Sequence, residues 1–275
     1  MREALEKAGV SVPKHCLLAA DQEIELPEGM CFPVIVKPTD RSGSRGIMKV
    51  ERIEDVAGAV KNSAAQAFEK KAIVEEFIDG PEYSCESVSF QGRHHVIAVT
   101  KKFTTNVPHF IEIGHLEPSD LNEEQLQAVR TAVPQALDAL HITTGISHSE
   151  FRMGKDGLPR IIEIGARMGG DCIGSDLVML STGKDFLRMT IETALGLPPT
   201  LDVVCPPRAA AIRFIFTQHD VDVIERIRRE APETIIRYEC WGKPGSHEVS
   251  DSSARFGYCL IAHEDAHRVR DLIEL

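Results

Sequence analysis

The chain has 275 residues, 31 of them Lys or Arg and 42 Asp or Glu, for a formal net charge of −11. With 43% hydrophobic and 27% charged residues it is neither disordered, collagen-like nor a coiled coil, and its length suits two domains or one large α/β unit. The acidic balance, without any Lys/Arg-rich face, argues against duplex nucleic acid or an anionic membrane as partner and admits small, metal-neutralised anions. Seven cysteines (Cys16, Cys31, Cys85, Cys172, Cys205, Cys240 and Cys259) form no Cys-x-x-Cys pair, so neither a zinc site nor a disulfide framework is expected. The N-terminal MREALEKAGVSVPKH is charged rather than apolar, and no run approaches the roughly 18 apolar residues of a membrane span. A cytoplasmic location is therefore expected.

In chain order, CFPVIVK (31–37) reads as a short buried strand stopped by Pro38, followed by the loop PTDRSGSRG and a second strand over 47–50. Apolar residues at helical spacing predict a helix over 53–68, and AIVEEFI (72–78) a further strand. After the turn DGPE (79–82), YSCESVSF and HVIAVTKKF read as two strands joined at Gln91-Gly92-Arg93. Asn122 with Gln125 three residues later predicts a capped helix over 122–140, kinked at Pro134. Strands follow over 145–153 and 159–165, then one helical stretch over 175–196 that ends at Gly196. The remainder reads as strand (209–216), helix (220–229), strands (233–239 and 255–262) and helix (264–273), with GKPGSH between the last two strands.

Three segments carry chemistry. If Asp156-Gly157 is a two-residue turn, paired residues sum to 313 and Glu150 faces Glu163, with His148 and Arg152 on the same face. Two carboxylates held about 5 Å apart repel, so the pair wants either a raised pKa or a hard divalent cation between them. The plainer alternative is two solvated glutamates on an exposed face, screened by Arg152 and Arg167. Arg167, just before Gly169-Gly170, adds a guanidinium and a close-approach backbone suited to a polyphosphate with its magnesium ions. Lys37 at a strand end precedes Ser42-Gly43-Ser44-Arg45-Gly46, whose N–H groups and hydroxyls suit phosphate oxygens, although the spacing matches neither common glycine-rich nucleotide motif. In EEFIDGPE (75–82), Phe77 and Ile78 are placed to pack on a purine and Glu82 to accept from ribose hydroxyls.

Taken in order, FPVIVKPTDRSGSRGI, IVEEFIDGPEYSCE, and HSEFR with EIGARMGG resemble the ATP-grasp superfamily of carboxylate–amine ligases. GHLEPSDL, WGKPGSHEV and RFGYCLIAHED are similar to the branch containing L-amino acid ligases, beside the carbamoyl-phosphate-synthase-like enzymes. The resemblance implies an α+β ATP-grasp fold, two α/β lobes sandwiching ATP, with a small C-terminal α/β subdomain. The expected divisions are a connecting segment over 1–20, a small lobe over 21–80, a large lobe with the metal site over 81–197, and the subdomain over 198–275.

By position, the resemblance assigns Lys37, Ser42, Gly43, Ser44 and Gly46 to the ATP phosphates, Glu75, Phe77 and Ile78 to adenine, and Glu82 to ribose. Glu150 and Glu163 match the two carboxylates for magnesium or manganese, and Arg167 the arginine on the transferred phosphoryl group. Lys102 is assigned to the γ-phosphate, and His115, Gly170 and Asp171 to the amino acid pocket. The implied reaction joins an L-amino acid carboxylate to an amine through an acylphosphate, with small molecules as partners.

Two departures stand out. Gly165 occupies the place of the family's asparagine two residues after the second glutamate, leaving the metal to two carboxylates. The preceding α/β domain of the family is missing, which predicts a truncated reading frame, or a fragment completed by a partner subunit in a homodimer or heteromer. Carbamoyl-phosphate-synthase-like or purine-pathway carboxylase-like activity, or a non-catalytic ATP-binding module, are the alternatives. Residues 200–275 show no charge constellation of their own.

Overall fold

A computed structural model describes residues 1–105, 110–243 and 252–275; most of the GKPGSH loop lies outside the described residues. Two antiparallel sheets carry the fold. The smaller consists of β1 (His15–Ala19), β2 (Val34–Pro38), β3 (Met48–Val50) and β4 (Lys71–Glu76) in the order β1-β4-β2-β3. Helix α2 (Ile53–Gln66) covers it, burying Val56, Ala59, Val60 and Ala64 against Val34, Val36 and Val74. The larger sheet runs β11-β12-β10-β7-β6-β5-β8-β9. Its members are β5 (Glu82–Phe90), β6 (Arg93–Thr104), β7 (Glu112–Glu117), β8 (Gly145–Met153), β9 (Pro159–Gly165), β10 (Ala209–Ile215), β11 (Ile235–Cys240) and β12 (Gly257–His263). This is the α+β, two-lobed architecture expected.

Period-two alternation decides what each face of the large sheet does. Tyr83, Cys85, Phe151, Met153 and Ile161 turn to α3 (Glu123–Ala139), which buries Val129, Val133, Ala136 and Leu137. The Asn122–Gln125 capping box starts α3 as expected, and Pro134 lies inside it. Further along the same face, Ala209, Ala211 and Ile215 pack on α6 (Gln218–Glu230) and α7 (Ala266–Ile273). On the opposite face Val88, Ile146, Ile212 and Phe214 are covered by residues 173–194, while Glu82, Lys102, Glu150 and Arg152 of β5, β6 and β8 face the small lobe.

Four local expectations change. The helix expected over 175–196 is three pieces: a π-helical turn Ile173–Leu177, α4 (Val178–Thr182) and α5 (Phe186–Ala194). Gly183 separates them in the left-handed conformation (φ +71°), and Asp185 caps α5 by accepting from the Arg188 N–H. Hydrophobic periodicity ran across this Gly-x-Asp stop-and-start signal.

The β8–β9 turn is also different. Gly154 N–H donates to Leu158 O and Gly157 N–H to Gly154 O, so the loop holds three residues and pairs next to it sum to 312, as Met153↔Pro159 does. A bulge then skips Ile162 and restores Glu150↔Glu163. The carboxylates do face each other, through two irregularities that cancel.

Residues 1–20, read as a connecting segment, hold α1 (Arg2–Lys7), whose Leu5 enters the α3 cluster, and β1, which pairs with β4. Residues 209–275 contribute three strands to the large sheet itself. Among the described residues no helix is long and apolar enough to cross a membrane.

One buried acid in this framework gives a pH test. Glu117 on β7 is fully enclosed and accepts from the hydroxyls of Thr100 and Ser181, the latter at 2.7 Å. Burial, the largest influence, pushes its carboxyl up to about 7 from an ordinary 4.5. A carboxyl raised on folding contributes stability that is complete below the unfolded value and is lost as pH rises through the folded one. Relative to Glu117→Gln, the unaltered protein should lose about 2 kcal/mol between pH 5 and pH 8. Urea unfolding at the two pH values measures this, and parallel pH profiles for the two proteins would contradict it.

Candidate active site

The two sheets face each other across a cleft of about 1360 Å³. Lys37, Ser42, Gly43, Ser44, Glu75, Phe77 and Ile78 line it from the small lobe, and Glu82, Lys102, Glu150, Glu163, Arg167, Gly170 and Asp171 from the large one. Most of the residues singled out in the sequence therefore converge.

Strand register explains the large-lobe side. Arg152, Glu82, Lys102 and His115 are successive cross-strand partners on β8, β5, β6 and β7. In the next row Glu150 pairs with Ser84, and in the one after that His148 pairs with Glu86. Alternation puts all of these on one face. Lys102 Nζ lies 2.6 Å from Glu112, 3.2 Å from Glu150 and 3.3 Å from Glu82. Burial opposes charge on Lys102, but these three carboxylates outweigh it and hold its pKa well above the usual lysine value.

The paired glutamates titrate in opposite directions. Burial works against ionisation of Glu150, yet Lys102 and His148 overcome it and pull its pKa down. Glu163 forms no ion pair among the described residues; partial burial and the Glu150 charge raise its pKa, only partly offset by Lys37 and Arg167. A carboxylate pair with one member neutralised and the other left without a partner is a donor set that suits a hard cation. A second cluster of possible ligands, Glu112, His115 and Asp171, lies within 4.8 Å. Its carboxylates are already met by Lys102 and by Arg255, 2.6 Å from Asp171. Burial would raise the Asp171 pKa, but facing His115, Glu112 and Arg255 it is held low.

Several residues sit differently from expectation. Glu75 lines the cleft, but its carboxylate is engaged within the protein: the residue is 3% exposed and bound by Arg2 and by Lys37 at 2.8 Å. Burial opposes its ionisation, and Lys37 and Arg2 overcome that to lower its pKa. Gly46 does not line the cleft. Its carbonyl accepts from Ser63, and a Cβ there would lie 2.9 Å from Pro38, so it closes the loop against α2. Ser44, in contrast, donates across the cleft to Phe110 O at 3.2 Å.

His115 is fully buried beneath the cleft, 3.9 Å from Glu112 and 3.8 Å from Asp171; it reaches a pocket only through those carboxylates. The Phe77 ring carries Lys49 at 4.8 Å and Arg152 at 4.9 Å, and Arg152 also binds Ile78 O and Glu82. Arg167 is exposed and donates to Met168 O.

Sequence reasoning missed Arg2, Glu86, Glu112 and Arg255. Arg255 overturns the expectation that residues 200–275 bring no charge to the site: its guanidinium stacks 3.7 Å over Phe214 and reaches both Asp171 and Glu112. Glu86 is fully buried and accepts from His148 Nδ1 and, at 3.0 Å, from Gly169 N–H. Burial works against charge on His148, whose Nε2 lies 3.1 Å from Glu150; the two flanking glutamates prevail and push it up to about 9.

A small antiparallel sheet with a Gly/Ser loop, closing over a large sheet that presents paired carboxylates and an arginine, defines a nucleotide-cleft protein of the ATP-grasp type. Residues 30–176, more than half of the chain, match the ATP-grasp domain family, and the chain belongs to it. It is similar to the crystal structure of L-amino acid ligase from Bacillus licheniformis, with a TM-score of 0.79 and 27% identity over 99% of this chain and 69% of that one. It is 28% identical over 194 residues to alanine–anticapsin ligase of Bacillus subtilis, covering 62% of this chain and 40% of that protein. Carnosine synthase 1 of Gallus gallus is 29% identical over 207 residues, covering 68% of this chain and 22% of that protein. The chain thus spans well under two thirds of the length of these curated relatives.

Proposed function

We propose that this chain is the nucleotide- and metal-binding body of an ATP-dependent carboxylate–amine ligase that joins an L-amino acid to an amine or to a second amino acid. The observation that carries this reading is the Glu150–Glu163 pair, set in register across β8 and β9 and opposite Lys37 and the Gly/Ser loop. The similarity to ligases of amino acids supports it.

In this reading Glu150 and Glu163 would hold magnesium, which when bound would neutralise phosphate charge. Lys37, Ser42, Gly43 and Ser44 hold the phosphates, Phe77 and Ile78 pack on adenine, and Glu82 accepts from ribose. Binding ribose requires Glu82 to share its carboxylate between Arg152, Lys102 and the sugar. The substrate carboxylate attacks the γ-phosphorus and ADP leaves; an amine then displaces phosphate from the acylphosphate, giving an amide. Arg167 and Lys102 stabilise charge on the transferred group, and no protein nucleophile takes part. Gly170 and Asp171 border the amino acid, with Arg255, Glu112 and His115 beneath them.

Magnesium-dependent ADP release against a panel of paired amino acids, with bicarbonate as a separate condition, tests the proposal. Release that needs an amino acid together with an amine is the expected result. Release driven by bicarbonate alone would move the reading to a carboxylase-like reaction, and ATP binding without turnover in any combination would reduce the chain to a binding module.

A further inference from the structure

Glu86 and His148 take no part in the proposed chemistry, yet they form the most enclosed charged contact beside it. Glu86 is fully buried and His148 is 4% exposed. They face each other as cross-strand partners of β5 and β8. The Glu86 carboxylate spans two elements: Oε1 binds His148 Nδ1, and Oε2 accepts the Gly169 N–H at 3.0 Å. His148 passes the contact on, its Nε2 lying 3.1 Å from Glu150 Oε1. Gly169 follows Arg167 by two residues. A Cβ at Gly169 would stand 2.7 Å from Glu86 Oε1 and 2.8 Å from His148 Nδ1, so even a methyl group there must push the two side chains aside.

From this geometry we infer that Glu86 and His148 are positioning residues, a buried brace that sets the orientation of Glu150 and holds the Arg167 loop in register with it. Burying a carboxylate is unfavourable unless its oxygens are satisfied, and here one carboxylate is satisfied by both of the parts that must be aligned. His148 and Lys102 both bind Oε1 of Glu150, which fixes the carboxylate plane and leaves Oε2 for a cation. The inference rests on the reading of Glu150 as a metal ligand, and the experiment separates the two.

The measurement is Mn²⁺ affinity of the protein–ADP complex by electron paramagnetic resonance, beside ADP affinity in EDTA by calorimetry. Outer contacts to a metal ligand typically change metal affinity by roughly tenfold to a hundredfold. Glu86→Gln keeps an acceptor for Gly169 but weakens the hold on His148, and it should lower Mn²⁺ affinity by about tenfold while metal-free ADP affinity stays within about twofold. Gly169→Ala, which pushes on the brace without removing it, should do the same. A folded Glu86→Gln protein with unchanged Mn²⁺ affinity overturns the brace, as does equal loss of Mn²⁺ and metal-free ADP binding, the pattern of a merely structural pair. Should Glu86→Gln fail to fold, Gly169→Ala decides by the same criteria. Glu163→Gln, which disturbs no ion pair among the described residues, is the separate control: if it leaves Mn²⁺ affinity intact, the metal-site reading itself falls.

Discussion

Glu163→Gln should reduce magnesium-dependent ADP formation about a thousandfold, roughly 4 kcal/mol of barrier, while leaving the fold as stable as before or slightly more so. The two halves of this expectation come from the same geometry. Glu163 has no ion-pair partner among the described residues and feels Glu150 across the strand pair, so its pKa is raised. Replacing it with a neutral isostere relieves the repulsion between the two carboxylates and, on the proposed reading, removes a cation ligand. Glu150 is a poorer probe, because it also anchors Lys102 and His148 and its loss would confound metal binding with collapse of the network. Steady-state ADP release as a function of magnesium, with thermal unfolding of the same samples, reads both halves. Unaltered magnesium dependence would remove Glu163 from the site, and a large drop in melting temperature would show that it has a structural partner after all.

The features legible in the sequence were those whose partners lie close along the chain. The β5–β6 hairpin shows in the Gln91-Gly92 turn, the start of α3 in the Asn122–Gln125 box, and the facing glutamates in a short hairpin. Even there the hairpin loop is one residue longer than the two-residue turn expected, and Glu150 faces Glu163 only because the bulge at Ile162 compensates. No local pattern announces that bulge.

Contacts between distant strands were not legible. Glu86 lies 62 residues from His148 in a strand that reads as ordinary buried polar alternation, and its role appears only when β5 is known to pair with β8. Arg255 carried no signal because its partners, Asp171 and Glu112, are brought to it by β10 and β12 joining the large sheet. The resemblance assigns Glu75 to adenine by its position along the chain, and a motif does not show which neighbours compete for its carboxylate. Lys37 and Arg2 win that competition.

Arg2 shows how much such a contact matters. It stands on the first turn of α1, 5% exposed, with one guanidinium edge on Glu75 of the small sheet and Nη1 donating to Ile161 O of the large one at 2.8 Å. Leu5 and Val10 root the segment in the α3 cluster, so Arg2 is a strut between the lobes on either side of the cleft. Arg2→Ala leaves Glu75 buried with Lys37 as its remaining partner, and breaking a buried pair by removing one member costs about 3–5 kcal/mol. We expect a loss toward the low end, since Lys37 stays.

The sign of the pH effect follows from Glu75. Its pKa is lowered in the folded protein, so its stabilisation is complete above the ordinary carboxyl value and is lost as pH falls through the folded one. Without Arg2 that lowering shrinks, and acid unfolding should begin at higher pH. The double variant Arg2→Met with Glu75→Gln should recover much of the stability, because no buried carboxylate is then left short of a partner and the freed Lys37 ammonium, which borders the cleft, can be solvated. On the proposed reading of Lys37 as a phosphate ligand it provides the functional readout: freed of competition for Glu75 it settles more firmly there, so the KM for ATP should rise in Arg2→Ala and fall back in the double variant. Urea unfolding of the single variant within about 0.5 kcal/mol of the unaltered protein, the range of ordinary surface substitutions, would show that the lobes are held together by something other than this strut.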